Sequence, residues 1–105
     1  MEYKDFKDSF KRGCLRSKRI LAMKACEYAE GDADRLTQFK KISTITNETP
    51  ESVCIGLMAK HFSSICSMAF NPDNYSLTQW REKITDLRNY THLLDALIDE
   101  RKSKI

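Results

Sequence analysis

The chain has 105 residues, 31% of them charged and 41% apolar, and a formal net charge of +3. That fits one folded domain, excludes a disordered composition, and is too small a charge to imply nucleic acid by itself. Only 3 Gly and 2 Pro punctuate the sequence, which favours long helices over many short strands, and its uncharged apolar runs fall far short of a bilayer span.

The periodicity predicts a single all-α domain over 1–105, a bundle of about four helices. A basic first helix spans 3–29, with Phe6, Phe10, Cys14, Ser17/Lys18, Leu21 and Ala25 at three-to-four spacing and Tyr28 closing it. Gly13 is a place for a break or bend, and Gly31 sits where a C-cap would. Basic residues dominate this helix, and Glu27, Glu30, Asp32 and Asp34 then form an acidic knot. A solvated helix face and its end is the simplest account of both.

The second helix is expected over 34–46, capped by Asp32 or Asp34, with Leu36, Phe39, Ile42 and Ile45 as its stripe and Asn47 ending it. The third, 50–70, has the clearest start: Thr49 as cap, Pro50 at the first position and Glu51 at the positive end. Val53, Leu57, Met58, Phe62, Ile65, Met68 and Ala69 make it apolar around much of its girth, so it is expected to be central. Asn71-Pro72-Asp73-Asn74 is a turn. The fourth helix, 76–100, opens on a Ser76-x-x-Gln79 capping box. Trp80, Ile84, Leu87, Thr91, Leu94 and Ile98 form its apolar stripe, widened by Tyr90, Leu93 and Leu97, and the basic tail from Arg101 is expected to fray.

Cys14, Cys26, Cys54 and Cys66 form no CxxC pair and no zinc spacing. With no apolar leader core in Met1–Lys24, they read as reduced, mostly buried thiols of a cytoplasmic protein.

Three sets of residues could carry chemistry. Glu82 and Asp86 share a helix face, with Arg88, Asn89 and Tyr90 following. An acid at the edge of a core stripe needs a partner. A structural ion pair with Lys60, Arg88 or a neighbouring chain is the simpler account, and paired carboxylates holding Mg²⁺ the functional one. Lys60 and His61, with Ser64 and Ser67, could hold a phosphate, although a lone His on an apolar helix is more often structural. Glu27 and Glu30 could add carboxylates to those of the fourth helix, against the plainer reading of surface acidity. No Gly-rich phosphate loop, nucleophile elbow or HExxH occurs. Tyr3, Phe6 and Phe10 fit a core-facing stripe better than a base-stacking platform, and no nucleic-acid-binding motif is present.

Several spaced segments, taken together, cover about residues 20–99. They are Lys24-Ala-Cys-Glu-Tyr-Ala29 with Asp34-Arg-Leu-x-x-Phe-Lys40; Thr49-Pro-Glu51 with Gly56-Leu-Met-Ala-Lys-His61 and Ser64; and Glu82-Lys-Ile-Thr-Asp86 with Asn89-Tyr90 and Leu93-Leu94. In this order they resemble a group of small bacteriophage and prophage proteins, itself distantly similar to the MazG-like all-α nucleotide pyrophosphohydrolases. That resemblance implies a four-helix bundle, a dimer or tetramer, and Mg²⁺ held by acidic residues. Glu82 and Asp86 match the outer positions of the family's later acidic motif, whereas Lys83 and Thr85 depart from it. Glu27 and Glu30 match the earlier Glu-x-x-Glu loosely. A lysine where a metal ligand belongs implies binding in place of hydrolysis.

The leading expectation is therefore a phage accessory protein in the cytoplasm of an infected bacterium. It would bind a nucleotide, a nucleotide-derived signal or a host defence protein through Lys60, His61, Asp86 and Asn89, without catalysis and without a cofactor. The alternative is a Mg²⁺-dependent pyrophosphohydrolase using Glu27, Glu30, Glu82 and Asp86. The plainest is a helical oligomerisation module. All three expect a homo-oligomer, no membrane span and no nucleic acid.

Overall fold

The computed structural model describes residues 1–28 and 36–103, with only the backbone given for 25–28. The expected caps at Gly31, Asp32 and Asp34, and the end of the basic tail at 104–105, lie outside the described residues. Four α-helices carry the fold: α1 Tyr3–Tyr28, α2 Thr37–Thr46, α3 Pro50–Ala69 and α4 Leu77–Ser103. A single 3₁₀ turn, Pro72–Asn74, joins the last two. Among the described residues there is no strand, and no helix is long and apolar enough to cross a membrane.

The local punctuation acts as its chemistry dictates. Asn47 adopts φ 59° and ψ 33°, the left-handed conformation that ends α2. The Thr49 hydroxyl accepts from the Ser52 amide at 3.1 Å and caps α3, with Pro50 in its first turn. Ser76 and Gln79 form a reciprocal box: Gln79 N donates to Ser76 Oγ at 3.1 Å, and Ser76 N donates to Gln79 Oε1 at 2.8 Å. The Trp80 indole N–H then donates to the Pro72 carbonyl at 3.0 Å, fixing the turn against the start of α4.

The core is small. Leu36 and Phe39 of the α2 segment, Val53 and Cys54 of α3, and Leu93 and Leu97 of α4 are buried together. Tyr90 packs against them, with its ring edge-on to Phe39 at 6.4 Å and tilted on His61 at 4.9 Å. α3 packs against both α2 and α4, so it is central as expected. Ion pairs tie the periphery: Lys40 to Glu100 at 2.7 Å between α2 and α4, and Arg101 to both carboxylate oxygens of Glu51 between α4 and α3. The tail expected to fray from Arg101 is thus held at its first residue, and α4 continues to Ser103.

The apolar stripes are where sequence and structure part. On α4 the buried residues are Thr85, Asn89, Leu93 and Leu97. Thr91 is exposed, and Ile84 and Ile98 are each 41% exposed. α1 runs unbroken through Gly13, and the first part of its stripe is not buried: Phe6 and Phe10 are 56% and 64% exposed, whereas Ser17 is buried and Leu21 half-buried. Of the cysteines with described side chains only Cys54 is buried, and Cys14 and Cys66 are exposed. The expectation of mostly buried thiols is corrected.

Candidate functional site: a basic cleft between α1 and α4

α1 packs against α4, held by polar contacts. The Arg88 guanidinium donates to the Gly13 carbonyl at 2.9 Å and to Ser17 Oγ at 3.1 Å. A Cβ on Gly13 would stand 3.2 Å from the guanidinium nitrogens, so the glycine admits this close approach. Lys24 meets Asp86 at 3.8 Å farther along.

Beside these contacts the two helices line a cleft of about 520 Å³. α1 contributes Arg16, Arg19, Ile20 and Lys24, which recur at three-to-four spacing on one face. α4 contributes Thr78, Arg81, Glu82, Thr85 and Asp86. Four cations therefore face two carboxylates. Arg16 is the most telling of them. Its Nε is buried with no hydrogen-bond partner among the described residues. Its pKa is held below the usual arginine value, first by burial and then by the like charges of Arg81, Arg88 and Arg12. A crowded guanidinium with an unfilled donor is a group that an anion would relieve.

The expected site residues fall on different parts of the fold. Asp86 lines this cleft, and its partner is Lys24, not Lys60 or Arg88. Lys60 is exposed on α3 and has no ion pair among the described residues. Its neighbouring hydroxyls turn to their own helix, Ser64 to the Lys60 carbonyl and Ser67 to that of Ser63, and are not offered to a phosphate. His61 lies against Tyr90 at the edge of the core. Asn89 is 5% exposed, and neither polar atom of its side chain has a partner among the described residues. None of Lys60, His61 and Asn89 lines the cleft.

Of the four carboxylates considered for a metal, Glu82 and Asp86 line the cleft, whereas the Glu27 side chain and Glu30 lie outside the described residues. No three His, Cys, Asp or Glu converge among the described residues. The described donor set does not fit Mg²⁺, which needs hard oxygen ligands in a negative site. Here Lys24 already engages Asp86, and three arginines share the space.

Sequence reasoning missed Arg16, Arg19 and Arg81. The arginines of α1 read as a solvated face because the helix they oppose lies some seventy residues away in the chain. No family model, curated protein or solved structure matches the chain.

Proposed function

We propose that this protein is a binding module that holds a nucleotide-type ligand by its phosphates in the α1–α4 cleft, without catalysing its hydrolysis. The observation that carries this reading is the excess of cations in the cleft, with the Arg16 Nε buried and without a partner among the described residues. Guanidinium forks suit phosphate oxygens, because their donors are planar and can engage two oxygens at once. Thr78 and Thr85 add hydroxyls beside them, and Ile20 supplies an apolar wall. The sequestering, anti-defence role stays with the phage resemblance, and the cleft supports the binding step alone.

Thermal shift against ATP, ADP and inorganic pyrophosphate, each with and without Mg²⁺, tests this. A ligand at a hundred times its dissociation constant adds about 2.7 kcal/mol. In a domain of this size that raises Tm by roughly ten degrees or more. The expected result is a shift that needs no metal, is lost in Arg16→Ala with Arg81→Ala, and is kept in Lys60→Ala. A shift that appears only with Mg²⁺ and comes with pyrophosphate release would replace this reading with the enzyme. Loss of the shift in Lys60→Ala alone would move the site to α3.

A further inference from the structure

We infer that the groove between α1 and α4 takes a single strand of nucleic acid, with its phosphates on the arginines of the cleft and its bases against Phe6 and Phe10. The inference rests on the phosphate reading of the cleft and names the polymer that supplies the phosphates. Next to the cleft, α1 and α4 line a second cavity of about 590 Å³. The two follow each other along α1: its residues from Arg16 to Lys24 line the cleft, and those from Phe6 to Arg16 line the second cavity. They share Arg16, Arg81 and Thr85. At about 1.5 Å per residue, Phe6 and Lys24 stand about 27 Å apart along the helix, the length of roughly eight nucleotides at about 3.4 Å each.

The second cavity joins an aromatic wall to positive charge. Phe6 and Phe10 from α1 and Ile84 from α4 make the wall. The spacing of Phe6 and Phe10 predicts a core-facing stripe, which was the ground for setting a base-stacking platform aside. In the folded chain both rings are more than half exposed, as is Tyr3 one turn earlier. Four residues apart on one helix, Phe6 and Phe10 share a face on which successive bases can stack.

The charge of the groove suits a chain of phosphates. Arg16, Arg81 and Arg88 line the second cavity, and no carboxylate does. Asp5 and Asp8 of α1 line neither cavity. In the cleft Lys24 engages Asp86, which leaves Glu82 facing Arg16, Arg19 and Arg81. Arg16, whose Nε is buried without a partner among the described residues, lines both cavities. Arg88 is turned to Gly13 and Ser17, so it adds field more than contacts. An acidic peptide would use the arginines and leave the two rings uncovered. A mononucleotide would cover one ring, and a duplex keeps its bases stacked on each other.

Fluorescence anisotropy with labelled oligothymidylate and oligouridylate of about twelve nucleotides tests the inference. Binding by either strand supports it, and the difference between them tells DNA from RNA. The slope of log affinity against log salt should be about −0.7 per phosphate contacted. Arg16→Ala with Arg81→Ala should flatten that slope by about 1.4. Phe6→Ala and Phe10→Ala should each weaken binding by about fivefold or more and leave the slope unchanged. Phe62→Ala, equally exposed but on α3, should bind as wild type does. Helical circular dichroism should be unchanged in all of them. The bound strand should also protect Cys14, which lines the second cavity, from alkylation by iodoacetamide, and leave exposed Cys66 on α3 reactive. A strand that binds while ATP gives no thermal shift keeps the inference and restricts the groove to polymers. No binding by either strand at about 50 mM salt, with the ATP shift intact, overturns the inference and leaves the phosphate reading standing. Failure of both ligands overturns both. A duplex of the same length that binds as tightly, or a strand indifferent to Phe6→Ala and Phe10→Ala, reduces the groove to a general polyanion site and overturns the inference.

Discussion

Asn89 is the residue whose chemistry is least explained by its surroundings. Its amide is buried, yet neither polar atom finds a partner among the described residues. A buried amide without hydrogen bonds costs about 1–3 kcal/mol relative to one that is satisfied. Asn89→Leu, which keeps the same branched heavy-atom skeleton and is apolar, is expected to raise stability by about 1 kcal/mol in urea denaturation. Nucleotide-induced thermal shifts should be unchanged, because Asn89 does not line the α1–α4 cleft. A variant that loses stability would show that the amide is satisfied by a bound water. One that loses the nucleotide shift would return Asn89 to the ligand site. Sequence alone singled out Asn89 and Asp86 because polar residues stood among apolar ones. It could not single out Arg16, since an arginine among lysines and arginines on a basic helix carries no such contrast.

At the scale of the element, the described helix ends were legible, as were the buried faces of α2 and α3, whereas those of α1 and α4 were legible only in part. Thr49-Pro50, Asn47 and the Ser76–Gln79 box act within four residues of themselves, so short stretches of sequence determine them. Faces depend on what a helix packs against. On α4 the stripe through Ile84 and Leu87 and the one through Leu93 and Leu97 both have helical spacing, and only the second is buried in the chain's own core. The Arg101–Glu51 pair is another contact of this kind, joining residues fifty positions apart. The hydrogen bond from Arg101 holds the Glu51 carboxyl below its ordinary value of 4.5. A depressed carboxyl pKa adds stability that is present above the unfolded value and is lost as pH falls through the folded one. Glu51→Gln should therefore lower the urea midpoint at pH 7. Its difference from wild type should shrink below pH 4.5 and vanish once the wild-type carboxyl is protonated. A difference that persists unchanged at the acid end would assign the effect to packing and not to charge.

At the scale of the whole molecule, the four helices are not equally bound. α2, α3 and α4 share the buried apolar core, whereas α1 adds to it only the partly buried Leu21 among its described side chains. α1 is attached instead through Arg88 at Gly13 and Ser17 and through Lys24 at Asp86. Such an attachment runs through polar groups, so the apolar period through Phe6 and Phe10, which predicts a core-facing stripe, does not mark the attached face. It also makes α1 a separate unit of opening, because elements with few buried apolar contacts exchange their amides first. In native-state hydrogen exchange the amides of α1 should exchange at lower protection than those of α3 and of the core stretch of α4. Arg88→Met removes two hydrogen bonds to a charged group, each contributing about 1.5–3 kcal/mol. It should speed exchange across residues 11–24 by about tenfold or more while leaving α3 near its wild-type protection. Equal loss of protection in α1 and α3 would mean that the bundle opens as one unit. In that case the cleft between α1 and α4 would be as rigid as the core, and not a place where a phosphate could tighten the hold of one helix on the other.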